Sequence, residues 1–193
     1  MTNITLAGVG GQGIILTSDI LARTAALAGF DVKKSEIHGM SQRGGSVSSQ
    51  VIFGDKVASP ILADGESDIL VCYERTEAAR AHPFLKPGGK VIINTLDITP
   101  VTVSSGMQAG VEDLAGLLQQ LYGDAAMYID SVAIAREVGN LRTANLAIAG
   151  ALSTLLPFDE QLWLEAIRAR MKAEIVEVNV RAFQIGRARL TTR

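Results

Sequence analysis

The sequence is poor in cysteine and histidine. Among its 193 residues it has one cysteine, Cys72, and two histidines, His38 and His82. A single thiol cannot form a disulfide within the chain, and cysteine-bound zinc centres and iron–sulfur clusters need several thiolates. We therefore expect this chain by itself to hold no metal, and Cys72, within an apolar run, to be a buried hydrophobic residue.

Net charge and long apolar runs are scarce as well. The formal net charge is −2, which gives no basic surface for nucleic acid. The longest apolar runs fall short of the ~20 residues that a membrane helix needs. No basic segment followed by an apolar run opens the sequence, so we expect no signal peptide. These features predict a cytoplasmic protein without a membrane or nucleic-acid partner, folded as a single domain over residues 1–193.

The order of the predicted elements favours an α/β fold. An apolar strand over residues 3–9 leads into a glycine-rich turn, a helix over residues 14–28 and a second extended segment from residue 30. Further buried strands are predicted at residues 68–73, 90–95 and 126–130, with helices after the first two. Strand, helix and strand in alternation predict a Rossmann-like, doubly wound and mostly parallel sheet.

Two regions depart from this alternation. Residues 46–53 and 56–58 flank the pair Gly54-Asp55, which is typical of a tight turn, so we predict an inserted β-hairpin and a mixed sheet. A second turn is predicted at residues 86–89. From Ser131 onward the pattern is helical, with Leu141 starting an amphipathic stripe and Asp159 placed to cap the following helix.

Residues 8–13, the glycine turn, carry the first functional pattern. Their spacing, Gly-x-Gly-x-x-Gly between a strand and a helix, matches the dinucleotide-binding fingerprint. Glycines let the backbone approach a ligand closely, and a helix N-terminus offers unpaired N–H groups to an anion. A tight turn beneath a close-packed helix would show the same spacing, so both interpretations stay open. The candidate cofactor-binding residues here are Gly8, Gly10, Gly11, Gln12 and Gly13.

Residues 36–46, the polar loop, read Glu-Ile-His-Gly-Met-Ser-Gln-Arg-Gly-Gly-Ser and show neither helical nor strand periodicity. Such side chains can converge on a small ligand, although a solvated surface loop is the alternative. Loops after the first and second strands of a doubly wound sheet lie at one edge, so the polar loop and the glycine turn should face one pocket. The candidates are His38 and Arg43 as catalytic residues, with His38 structural or chemical, and Ser41, Gln42 and Gly44 as cofactor-binding residues.

Asn145 is a further candidate because it interrupts an apolar helical stripe. A buried amide left unpaired costs about 1–3 kcal/mol. Asn145 should therefore either bond a neighbouring backbone group or reach the predicted pocket, where it would bind the cofactor.

The glycine turn and the polar loop together resemble the gamma-type subunits of 2-oxoacid:ferredoxin oxidoreductases. Within that family the likeness is strongest to the small (beta) subunits of indolepyruvate oxidoreductases. It covers most of the chain and extends through Ser59-Pro60, Tyr73-Glu74, Pro87-Gly88-Gly89, Ile93-Asn94 and Asn145 with Gly150-Ala151.

The resemblance implies a subunit of an enzyme that decarboxylates an aryl-2-oxoacid, passes electrons to ferredoxin and releases acyl-coenzyme A. Thiamine diphosphate, magnesium and the iron–sulfur (4Fe–4S) clusters are then expected on a large partner subunit, since one cysteine cannot hold a cluster. This chain would complete the active site or the coenzyme A pocket.

Two other functions stay open at this point. A stand-alone NAD or FAD oxidoreductase is suggested by the glycine spacing, with Glu36 close to the place of the ribose-binding acid. A non-catalytic assembly module is the other.

Overall fold

The computed structural model describes residues 1–38, 45–99, 101–107 and 109–192. Within them, seven strands form one sheet. The strands are β1 (Thr2–Val9), β2 (Asp31–His38), β3 (Ser46–Gly54), β4 (Ser67–Cys72), β5 (Leu85–Asn94), β6 (Ala126–Ile129) and β7 (Thr191–Thr192). Their order across the sheet is β2-β3-β1-β4-β5-β6-β7.

The same part of the chain contains eight α-helices. They are α1 (Ile14–Leu27), α2 (Arg75–Ala81), α3 (Val101–Ser104), α4 (Leu114–Tyr122), α5 (Ser131–Glu137), α6 (Ala144–Ser153), α7 (Glu160–Arg170) and α8 (Ala173–Ala188). Asp159 caps α7 as predicted, because its carboxylate accepts the N–H of Gln161 at 3.1 Å. The described helices include none that is both long and apolar enough to cross a bilayer.

The sheet is mixed and mostly parallel. β1 pairs in parallel with β4, which continues in parallel into β5 and β6. β3 and β7 run antiparallel to their neighbours. The predicted α/β architecture with a helical C-terminal part is therefore confirmed.

The predicted hairpin around Gly54-Asp55 is wrong. Residues 56–58 form no strand, and β3 instead pairs along its length with both β1 and β2. The chain after β3 leaves the sheet because Val57 and Leu62 are buried against Ile52, and the Val57 N–H donates to the Asp31 carboxylate at 2.8 Å. The antiparallel hairpin is instead formed by β2 and β3, and the polar loop connects these two strands.

Two smaller predictions are also wrong. Residues 86–89 form a bulge inside β5 rather than a turn between elements, because Ser67 pairs with Leu85 while Ile69 pairs with Lys90. Leu141 is 63% exposed, since it lies in a short 3-10 turn before α6 and not on the buried face of that helix.

Two apolar layers cover the sheet. Leu6 and Val71 belong to the larger layer, which packs against α1 and the C-terminal helices, whereas Ala7 and Leu70 belong to the second layer beneath α2 and α4. The alternation of neighbouring residues between the two layers is the two-residue period of a strand. Cys72 is fully buried in the second layer, as predicted, and burial raises the pKa of its thiol.

Candidate functional site

A cleft of about 500 Å³, here called the carboxyl-edge cleft, lies where the parallel strands end. The glycine turn, the ends of β4 and β5, and the starts of α5 and α6 surround it. Its apolar wall includes Leu16, Leu96, Val132 and Ile148. Its polar groups come from Gln12, Tyr73, Asn94, Ser131, Arg142 and Asn145. Ligands of doubly wound sheets bind at this edge.

The geometry of the glycine turn accounts for three of its glycines. A Cβ at Gly8 would lie 2.4 Å from Gln12 Oε1, which accepts the Val9 N–H at 2.7 Å. Gly11 and Gly13 have φ angles of +102° and +82°, which residues other than glycine rarely adopt. The glycine spacing is therefore explained by a tight turn beneath a close-packed helix. The turn also exposes backbone atoms to the cleft.

Asn94 joins the ends of three neighbouring elements. Its Nδ2 donates to the Tyr73 carbonyl oxygen at 3.0 Å, and its Oδ1 accepts the Ser131 N–H at 3.0 Å. The side chain is 2% exposed, so water does not compete for these bonds. Asn94 thus holds the floor of the cleft together.

Three polar atoms of this cleft have no hydrogen-bond partner among the described residues. They are Gln12 Nε2, the Tyr73 hydroxyl and Ser131 Oγ, and all three are buried. Burial raises the pKa of Tyr73, and the nearby Thr17 hydroxyl lowers it by less, so the phenol keeps its proton. The Thr17 hydroxyl itself donates to the Asn145 carbonyl oxygen at 3.4 Å. Buried polar groups are normally paired, so three unpaired atoms in one place indicate a site for a ligand that accepts hydrogen bonds.

Asn145 contacts the backbone and also lines the cleft. It lies in the first turn of α6, where its Nδ2 is 3.5 Å from the Gly13 carbonyl oxygen and its Oδ1 accepts the Leu146 N–H at 3.0 Å. Arg142 supplies a cation, and none of the described residues that line the cleft is acidic. The charge of the cleft therefore suits an anion.

The structure brings four predicted residues to this cleft: Gly11, Gln12, Gly13 and Asn145. Gly8 lies behind Gln12, and Gly10 lines a second cleft of about 460 Å³ on the other side of the turn, with Val47 and Arg170. The ligand roles of all six residues stay predictions.

The polar loop meets the sheet at the predicted edge. His38 pairs with Val47 and Ser46 pairs with Val9, so both chain ends of the loop lie at the edge where β1 ends, Ser46 beside β1 and His38 one strand further away. Four predicted residues lie outside the described part of the chain: Ser41, Gln42, Arg43 and Gly44. The backbone of His38 ends β2, and the proposed role of its side chain stays a prediction.

Sequence reasoning missed four residues of the cleft as site residues: Tyr73, Asn94, Ser131 and Arg142. The first three had a usable signal, since each is a polar residue within two positions of the end of a parallel strand. Arg142 had none, because it approaches the cleft from the turn before α6.

The family model for pyruvate ferredoxin/flavodoxin oxidoreductase matches residues 3–189. The chain belongs to this family. Within it, the chain is 37% identical to the indolepyruvate oxidoreductase subunit IorB of Thermococcus kodakarensis over 188 residues, which cover 95% of this chain and 93% of that protein. The corresponding subunit of Pyrococcus horikoshii is 36% identical, also covering 95% and 93%. The resemblance inferred from the sequence is confirmed.

Solved structures of the family share the fold. The gamma subunit of a keto/oxoacid ferredoxin oxidoreductase from Geobacter sulfurreducens matches with a TM-score of 0.71 at 24% identity, covering 96% of each chain. The 2-oxoglutarate:ferredoxin oxidoreductase of Magnetococcus marinus, solved with 2-oxoglutarate, coenzyme A and succinyl-CoA, matches with a TM-score of 0.74 at 24% identity. That match covers 97% of this chain and 30% of the larger one.

Proposed function

We propose that this protein is the small subunit of a 2-oxoacid:ferredoxin oxidoreductase that converts arylpyruvates, indolepyruvate among them, to acyl-CoA, carbon dioxide and reduced ferredoxin. The observation that carries this proposal is the 37% identity, over nearly the whole chain, to a subunit named for indolepyruvate. Because the chain supplies one cysteine, it cannot hold an iron–sulfur cluster, so the clusters belong on a large partner subunit. We place thiamine diphosphate and magnesium on that same subunit. The cytoplasm is the proposed location.

Coenzyme A is the ligand that we propose for the carboxyl-edge cleft. The unpaired donors of Gln12, Tyr73 and Ser131 suit its many acceptor atoms, and Arg142 together with the start of α1 suits its phosphates. The relative from Magnetococcus marinus, which was solved with coenzyme A, supports this choice. Coenzyme A supplies the thiol that accepts the acyl group; this chain binds and orients it.

The purified chain alone should show no oxidation of arylpyruvates in the presence of coenzyme A and a dye acceptor. Activity should appear when the large thiamine-diphosphate subunit is added, because the redox cofactors are held there. The large subunit alone and a heat-denatured sample of this chain are the controls. Turnover by the lone chain would overturn the assignment to a subunit.

Ser131→Ala and Arg142→Gln should each raise the KM for coenzyme A in the reconstituted enzyme. We expect an effect of roughly fivefold to tenfold, the size of one lost hydrogen bond to a charged or buried group. The kcat at saturating coenzyme A should change less, since neither residue contacts the redox cofactors. Arg136→Gln, an exposed arginine of α5 that does not line the cleft, is the matched control. Unchanged KM values in both cleft variants would remove coenzyme A from this cleft.

The topology argues against a stand-alone NAD enzyme. In a dinucleotide-binding domain the ribose-binding acid follows the strand next to β1, whereas here β3 lies between β1 and β2. The strand that carries Glu36 thus lies two strand spacings from β1, about 10 Å, instead of one. The Glu36 carboxylate accepts from Lys34 Nζ at 2.6 Å. Thermal titrations with NAD and FAD should therefore leave the melting temperature unchanged.

We expect Arg43→Ala to lower the turnover of the complex strongly while the complex still assembles, because we propose Arg43 as a catalytic residue. A non-catalytic assembly module predicts the opposite. If the chain served assembly alone, Arg43→Ala would leave the turnover of the complex intact.

A further inference from the structure

A buried carboxylate connects α2 to the point where the polar loop re-enters the sheet. The side chain of Glu77 is 2% exposed, and its Oε2 accepts a hydrogen bond from Ser46 Oγ at 2.5 Å. Ser46 is the first residue of β3 and pairs with Val9, the last residue of β1. The other carboxylate oxygen, Oε1, accepts from the Arg80 guanidinium.

The end of the polar loop is therefore held at two successive residues. The Gly10 N–H donates to the Gly45 carbonyl oxygen at 2.9 Å, which ties the loop to the glycine turn. The bond from Ser46 to Glu77 ties it to α2, on the far side of β1. These two bonds add to the pairing of Ser46 with Val9 in the sheet, so the end of the loop is fixed against both the glycine turn and α2.

Glu77 is itself well anchored. Its backbone N–H donates to Glu74 Oε1 at 2.5 Å, and the other oxygen of Glu74 accepts the Thr76 N–H at 3.0 Å. Glu74 caps α2, so the first turn of this helix and the carboxylate that it carries form one rigid unit. Because α2 directly follows β4, this unit fixes Ser46 relative to the end of β4.

Stability is a poor reason for this arrangement. Removing a carboxylate from water costs several kcal/mol, and apolar residues of similar size often stabilise a protein as well as a buried ion pair does. A buried acid with hydrogen bonds in two directions does define geometry, because its partners must sit at fixed distances and angles.

We propose that Glu77 is a positioning residue, which acts through Ser46 to set where the chain leaving the polar loop meets the glycine turn. The inference rests on the proposed function, since it concerns the edge at which this subunit completes the site. It extends that function to a residue of α2 that lines neither cleft beside the glycine turn.

The test uses the reconstituted two-subunit enzyme with Ser46→Ala and Glu77→Gln. Each variant should lower kcat about tenfold, since displacements of 1 Å can cost more than that, and should change the KM for the 2-oxoacid less. The double variant should be no slower than the slower single variant, because both changes act on the same bond: Ser46→Ala removes its donor, and Glu77→Gln weakens it by removing the charge of its acceptor. Ser46→Thr keeps the hydroxyl and should retain most of the activity.

Asp68→Asn is the matched control at the opposite edge of the sheet. Its carboxylate accepts the Asn3 N–H at 2.7 Å and pairs with Lys86, so its loss should lower the melting temperature without changing kcat. Ser46→Ala and Glu77→Gln variants that lose stability but keep kcat, as this control does, would overturn the positioning role. An inactive wild-type complex would instead contradict the proposed function itself.

Discussion

Replacing Gly150 by alanine should lower the free energy of unfolding by about 3 kcal/mol, the upper range for overpacking a core. A Cβ at this position would lie 2.0 Å from the Phe183 carbonyl oxygen and 2.8 Å from the Arg187 N atom. Both are backbone atoms of α8, so no side-chain rotation relieves the clash. α6 and α8 would have to move apart, and buried apolar contacts between them would be lost.

Chemical denaturation of the chain measures this effect. Gly116→Ala in α4 is the control, because the atoms nearest to the added methyl group belong to the Asp113 side chain, which can move at the cost of its cap on α4. Gly186→Ala should reproduce the loss from the other side, since its Cβ would lie 2.0 Å from the Ala147 carbonyl oxygen. A denaturation midpoint for Gly150→Ala equal to that of the wild-type protein would show that α6 and α8 pack less closely than described.

Gly13→Ala should lower both the stability of the chain and the activity of the reconstituted enzyme, the latter at least tenfold. The left-handed backbone at φ +82° costs an alanine about 1–2 kcal/mol. In addition, the new Cβ would lie 2.4 Å from Asn145 Nδ2, so the Asn145 side chain would have to move at the mouth of the cleft. A displacement of about 1 Å at a binding site is enough for a tenfold loss of rate.

Gly11→Ala separates the two causes. Gly11 also has a positive φ, +102°, but a Cβ there would meet no atom of the described chain within 4 Å. Gly11→Ala should therefore lose the stability that a left-handed backbone costs an alanine, without any loss from a contact with Asn145. Adding Asn145→Ala to the Gly13→Ala variant should recover part of the lost stability. Equal stability losses for Gly11→Ala and Gly13→Ala would mean that the contact with Asn145 is unimportant.

Local patterns were the reliable part of the sequence. The strand, glycine turn and helix over residues 2–27 were predicted because each depends on neighbours in the chain, such as the apolar residues of β1 and the glycines of the turn. The Asp159 cap and the buried Cys72 were predicted for the same reason. The pair Gly54-Asp55 misled, since β3 ends there but residues 56–58 form no strand, and Val57 is buried against Ile52 and Leu62 instead.

The sequence by itself determined the fold class, the family and the edge of the sheet where the glycine turn and the ends of the polar loop lie. Only the tertiary structure decided that β3 separates β1 from β2, that Asn94 joins Tyr73 to Ser131, and that Glu77 holds Ser46. These contacts join residues 21 to 37 positions apart in the chain. No local period or spacing encodes such contacts; they depend on how whole elements pack, and that packing brings the unpaired donors of the cleft together.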